Sequence, residues 1–222
     1  MQTDGAEGAA AHGTALTERV IERVRRDPGA SALEYRQVPW VAGGTPAPMP
    51  GERLAAARFP SGRPVSPSLR AWLAFDTSLF ARHDWFTPDG DFAPRSLPDL
   101  VGDEYGDMWA GEFALFADRF PECFLLPGGS DSRRLLAVTE PDELGEYPVL
   151  ALDFDDLPYV GLMYPGFDVY AADTAGVLDL DFEVYSALTD DPVYGRRMRR
   201  HAVHCFGGER EAQFPFDVRT VS

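Results

Sequence analysis

The chain contains no lysine: all 20 of its basic residues are arginines, set against 36 acids. Cysteine is nearly absent as well. Cys123 and Cys205 lie far apart with no CxxC spacing, which argues against a disulfide framework and a cysteine-based zinc site. No apolar run approaches the ~20 residues that span a bilayer. The segment Met1 to Glu7 has neither the basic nor the apolar region of a signal peptide. The expectation is a cytoplasmic chain in a reducing compartment, with no membrane partner. Catalytic signatures are missing too: there is no GxSxG elbow, no HExxH and no glycine-rich loop ending in Gly-Lys.

What is present in quantity is negative charge, unevenly placed. Residues 84–195 hold 25 acids against four arginines (Arg95, Arg119, Arg133 and Arg134), a local balance of -21 within a net charge of -16. Residues 1–83 carry ten arginines against eight acids, and residues 196–222 carry six against three. A block this acidic repels nucleic acid and anionic lipid and draws cationic partners from a distance. The plainer use of such a surface is solubility alone.

Hydrophobic residues make up 45% and aromatics 12% of the 222 residues. That supports a real core in one large domain, or one domain with an extended arm. Residues 1–15 are expected to be disordered, 16–63 to form an N-terminal helix and loop extension, and 64–222 to form the main domain. Leu16, Val20, Ile21 and Val24 make one stripe and predict a helix over Thr17 to Arg26, stopped by Asp27-Pro28-Gly29. Residues 31–42 suit a short strand, and 43–51 a proline-rich loop. Ser66 is placed to cap a helix with Pro67 in its first turn and Leu69, Trp72, Leu73 and Phe75 on its apolar face. Residues 84–108 read as loop, and 109–119 as a short helix or strand. Apolar runs near 123–126, 135–138, 149–154 and 159–164, with Val169-Tyr170 as a further candidate, predict an antiparallel meander. Asp173 to Leu188 reads as a closing helix with Leu178, Phe182 and Tyr185 inward, and 193–204 as a basic helix. Helices, then strands, then helices indicate an α+β fold: a mainly antiparallel sheet flanked by helices, with an N-terminal helical and loop extension.

Asp153-Phe154-Asp155-Asp156 is the sharpest local motif. It resembles the DxDx loop of haloacid-dehalogenase phosphatases, where a strand presents a nucleophilic Asp and a second Asp beside Mg²⁺. The βαβ repeats such a domain needs do not follow it, and no lysine is available for the phosphate, although an arginine could substitute. A strand ending in a solvated acidic turn is the plainer reading. His201-x-x-His204-Cys205 has a zinc-compatible spacing, but no companion motif supports it and Arg196, Arg197, Arg199 and Arg200 surround it. Those arginines read as intramolecular partners of the acidic face or as a solvated helix face. Pro127-Gly128-Gly129-Ser130 reads as a β-turn, and Trp40, Trp72, Trp85 and Trp109 as dispersed core anchors. The chain therefore reads as a binding protein, not an enzyme, with no cofactor and no metal.

Three stretches carry a family resemblance. Pro64-Val65-Ser66-Pro67-Ser68-Leu69-Arg70-Ala71-Trp72-Leu73 is similar to a proline-capped opening helix. Phe124-Leu125-Leu126-Pro127-Gly128-Gly129-Ser130-Asp131 is similar to a central strand and turn. Tyr147-Pro148-Val149-Leu150-Ala151-Leu152-Asp153, followed by Val169-Tyr170-Ala171-Ala172-Asp173, is similar to a later strand and helix entry. Together they resemble the SMI1/KNR4 (SUKH) superfamily over roughly residues 64–190. The resemblance implies an α+β domain without enzymatic activity. It also implies the role common among bacterial members, an immunity protein that binds and blocks a secreted toxin, often a nuclease or deaminase. The charge reading agrees, because toxins acting on nucleic acid carry basic clefts that an acidic surface can cover. The partner-binding candidates are Asp131, Asp142, Glu143, Asp153, Asp155 and Asp156, all at turns of the strand region. The partner expected is a basic protein toxin, not nucleic acid. The alternatives are a Mg²⁺-dependent phosphatase-like enzyme using Asp153 and Asp155, and a regulatory protein-protein scaffold.

Overall fold

The computed structural model describes residues 12–30, 40, 41, 43–128 and 132–216. The strand expected over 31–42 lies almost entirely outside them. The first helix, α1, runs Gly13–Arg26 and buries Leu16, Val20, Ile21 and Val24 as one stripe. Arg23, Arg25 and Arg26 occupy its last turn, where the helix dipole favours cations. A short helix, α2 (Gly51–Ala56), buries none of its side chains. Then come α3 (Pro67–Leu73) and α4 (Ser78–Ala81). The Ser66 side chain makes no cap bond on α3. Glu146 takes that role from far along the chain, accepting the Ser68 N–H at 2.8 Å.

The segment 84–108, expected as loop, contains α5 (Leu97–Tyr105) and leads into α6 (Asp107–Phe113). Ser96 caps α5: its side-chain oxygen accepts the Asp99 N–H at 3.3 Å, and its hydroxyl donates to the Asp99 carboxylate at 2.6 Å. Gly106, at φ 98°, separates the two helices. Few apolar residues mark this segment, because only Leu97, Pro98, Leu100, Val101 and Phe113 are buried in the two helices.

The five strands β1 (Cys123–Leu126), β2 (Ser132–Ala137), β3 (Val149–Asp153), β4 (Tyr159–Tyr164) and β5 (Glu211–Gln213) form one sheet in sequence order. All neighbours are antiparallel. The protein is thus α+β, with helices flanking an antiparallel sheet. Four strands match the expected meander, and β5 is an addition from beyond the last helix. Val169-Tyr170 is helical: it lies in α7 (Phe167–Thr174), whose residues Phe167 to Ala172 are all buried. A helix buried all round shows no amphipathic period. The closing helix expected over 173–188 does not form. Asp173, in the last turn of α7, turns its carboxylate to the Tyr164 hydroxyl at 2.7 Å and the Leu180 N–H at 3.4 Å, bonds that compete with helix continuation. The last helix, α8 (Gly195–Phe206), forms as expected and stops at Gly207 in the left-handed region.

Register sets the two sheet faces. Phe124, Leu136 and Val149 make one row, and Leu126, Arg134, Ala151 and Gly161 the next row on the same face. Phe124 packs there on Phe59 and Trp85. On the opposite face Arg133 reaches Glu104 of α5. Helix α1 packs on α3 and α7, so Leu16 and Val20 belong to the same apolar core as the sheet.

Candidate functional site

The fold divides the six acids chosen from sequence. Asp131 lies outside the described residues. Asp153, Asp155 and Asp156 sit together at the β3–β4 turn, with Asp155 and Asp156 exposed. Glu143 is exposed beside α8 and pairs with Arg196 at 3.1 Å. Asp142 is in the interior, its side chain 0% exposed against Arg197, and presents nothing to a partner at the surface.

At the turn end of the sheet the face carrying Arg134 becomes polar. Asp153 Oδ1 accepts the Asp155 N–H at 2.9 Å, and Oδ2 accepts the Tyr185 hydroxyl at 2.6 Å. Both oxygens are therefore engaged within the protein, unlike an open nucleophilic carboxylate. The strand carrying it belongs to an antiparallel meander. Tyr159 and Ser186 both donate to Glu211 at 3.0 Å. The Arg134 guanidinium lies over the Tyr185 ring at 5.4 Å. Burial, with the adjacent carboxylates, holds Tyr159, Tyr164 and Tyr185 above the ordinary phenol range, so each stays a donor. Small residues make room: a Cβ on Gly161 would lie 2.2 Å from the Tyr159 hydroxyl.

These bonds fasten segment 177–186 across the sheet. Tyr185 holds it to β3, and Phe182 packs on Tyr164. Along the outer side of the segment Asp179, Asp181 and Glu183 are exposed, as are Asp155 and Asp156 on the adjoining turn. Among these acids stand two exposed apolar side chains, Leu157 (48%) and Val184 (60%). Tyr159, Tyr164, Arg134 and Glu211 are not among the site residues chosen from sequence, and Tyr185 was expected as the inward face of a helix that does not form. The available signal was the alternation of Tyr159 with Gly161 on one face of β4.

A second cluster lies inside. Arg197, 3% exposed, donates Nε to Asp142 and a fork to Asp168, Nη1 at 2.8 Å and Nη2 at 3.1 Å. Asp168 also accepts the Gly13 N–H at the start of α1, at 2.6 Å. Asp142 Oδ1 accepts the Leu144 and Glu146 N–H groups at 2.8 and 3.0 Å. Burial opposes its ionisation, but His201, the Arg197 guanidinium and the Glu146 amide hold the carboxyl down at about 2. His201 Nε2 donates to the Pro165 carbonyl at 3.0 Å, leaving Nδ1 buried without a partner among the described residues. His201 is buried while His204 is exposed, and Cys205 contacts Thr139, so the three do not converge. Burial pushes the Cys205 thiol up to about 12. Among the described residues no group of three or more His, Cys, Asp or Glu could hold a metal ion. No helix among them is long and apolar enough to cross a membrane.

No protein-family profile and no curated protein matches the chain. A solved structure of an uncharacterized protein from Salmonella enterica subsp. enterica serovar typhimurium str. 14028s is similar in fold. The TM-score is 0.56 and the identity 15%, over 88% of this chain and 94% of that one. At that identity the likeness describes the fold alone.

Proposed function

We propose that this is a non-enzymatic binding protein of the immunity kind, which neutralises a basic bacterial toxin of nuclease or deaminase type by covering its cationic surface. The reading rests on one observation: exposed carboxylates stand beside exposed apolar side chains on two segments fastened to each other. Asp155 and Asp156 precede Leu157, and Asp181 and Glu183 precede Val184. Carboxylates speed the encounter with a cationic partner. Leu157 and Val184 offer the desolvated contact that slows dissociation. The resemblance to SUKH domains supports the same role, in the cytoplasm of the producing cell. Asp142 takes no part in it. Asp153 serves by holding Tyr185, and Glu143 lies elsewhere beside α8.

Affinity capture from the native host with mass spectrometry of the bound proteins tests this. The expected partner is a basic toxin domain encoded next to this chain. Asp155→Arg with Asp156→Arg is expected to slow association about tenfold at low salt and to flatten its salt dependence. An unchanged rate would remove these residues from the interface. Capture of a cellular protein with no toxin would favour the scaffold reading.

A further inference from the structure

We propose that the outer face of α6 is a docking surface for a basic amphipathic helix of another protein. The inner face of α6 is already occupied. Phe113 is buried against Phe216, and Trp109 packs on Phe154 and Phe214. In the 3₁₀ turn that follows, Ala114–Phe116, the buried Phe116 also meets Phe216. The outer face has no such cover. Met108 is 72% exposed, more than any other large hydrophobic side chain among the described residues, and Leu115 is 40% exposed. Two helical turns apart, they stand on one side of the run, with exposed Gly111, Glu112 and Ala114 between them.

Charge decides what such a face accepts. Asp107 precedes Met108, Glu112 lies between the two apolar side chains, and Asp118 follows Leu115 by one turn; all three are exposed. Among the described residues none of the three forms an ion pair, whereas Asp103 on α5 is taken by Arg95 at 2.8 Å. These uncompensated carboxylates repel a second copy of the chain, which brings the same acids and a net charge of -16, and they repel an anionic membrane. They attract a partner whose apolar side chains are flanked by Lys or Arg.

The shape of the face fits a helix. Two turns separate Met108 from Leu115 by about 10 Å along the axis, and the small residues Gly111 and Ala114 keep the surface between them low. A Cβ on Gly111 would meet nothing within 4 Å. That space admits a partner side chain and lets two helix axes approach to about 8–10 Å. Apolar side chains at i, i+3, i+4 and i+7 of a docking helix match the spacing, and the unbranched thioether of Met108 adapts to their shape. The ring contacts of Trp109, Phe113 and Phe116 hold the face in place before a partner arrives, which lowers the ordering cost of binding. The face shares no residue with Asp155, Asp156, Leu157 and Val184, and its partner is defined by chemistry alone, toxin or not.

Fluorescence anisotropy with a labelled Leu/Lys amphipathic peptide about 14 residues long, titrated with the full chain at physiological ionic strength, tests the surface. The parent chain is expected to bind it. Met108→Gln with Leu115→Gln keeps the charge and replaces two exposed side chains, so the fold is retained and affinity is expected to fall about tenfold. Leu157→Gln with Val184→Gln is expected to leave affinity unchanged. A peptide of the same composition, scrambled to break its apolar stripe, is expected to bind about tenfold more weakly. The proposal is overturned if the parent chain does not bind the peptide, if the Met108 and Leu115 pair binds like the parent, or if the scrambled peptide binds equally well and charge alone explains the contact. Sedimentation velocity adds one more outcome: a dimer of the parent chain that the same pair dissociates would assign the face to a second copy and overturn the proposal.

Discussion

Asp142 and Asp155 flank the same strand, β3, in opposite settings. The first is buried on Arg197 and two backbone amides, and the second is exposed in a turn. Asp142→Ala leaves a buried guanidinium with one carboxylate and two amides unbonded, and is expected to cost about 3–5 kcal/mol. Asp155→Ala is expected to stay within about 0.5 kcal/mol. Urea unfolding of the two variants measures the contrast. Sequence alone ranked these acids together, because a count of charge near turns does not register burial. The interior partner was partly legible. Arg197 and His201 stand four apart on α8, on the same side as buried Met198 and Cys205, where a charged side chain requires a buried partner.

Helix ends and fastened segments carry effects that belong to no single contact. Ser96→Ala removes the side-chain cap of α5 and is expected to cost about 1 kcal/mol, read as a lower urea midpoint with an unchanged slope. Tyr185→Phe breaks the bond to Asp153 at 2.6 Å. It is expected to make segment 177–186 cut several-fold faster in limited proteolysis while the β2–β3 pairing keeps its exchange protection. Strands β1 to β4 were legible because each is a short apolar run between turn residues. Helix α7 and the segment after it were not. Inward-facing Leu178, Phe182 and Tyr185 mimic a helical period, but the segment is held to the sheet by Tyr164, Asp173 and Asp153. Those contacts join residues that sequence spacing does not connect.

For the molecule as a whole, the two buried carboxyls set opposite pH limits. Asp142 is lowered from its ordinary 3.8 to about 2, so its contribution is present above 3.8 and lost as pH falls toward 2. Burial and the neighbouring Asp168 raise the Glu146 carboxyl above its ordinary 4.5, so its contribution is complete below 4.5 and is lost as pH rises above it. Melting temperature is expected to be highest near pH 4–5 and to fall as pH rises toward 8. Glu146→Gln is expected to flatten that decline, which separates it from general repulsion among the acids. The sequence by itself determined the α+β class, the four-strand meander, the C-terminal stop of α1, the presence of α8, and a -21 block within residues 84–195. Those follow from local periodicity, turn chemistry and composition. Only the tertiary structure decided which acids face water and which are locked inside, because burial depends on what the rest of the chain lays over a residue. It placed Asp142 on Arg197 of α8 and Glu146 on Ser68 of α3, and left Asp155, Asp156, Asp181 and Glu183 outside near Leu157 and Val184.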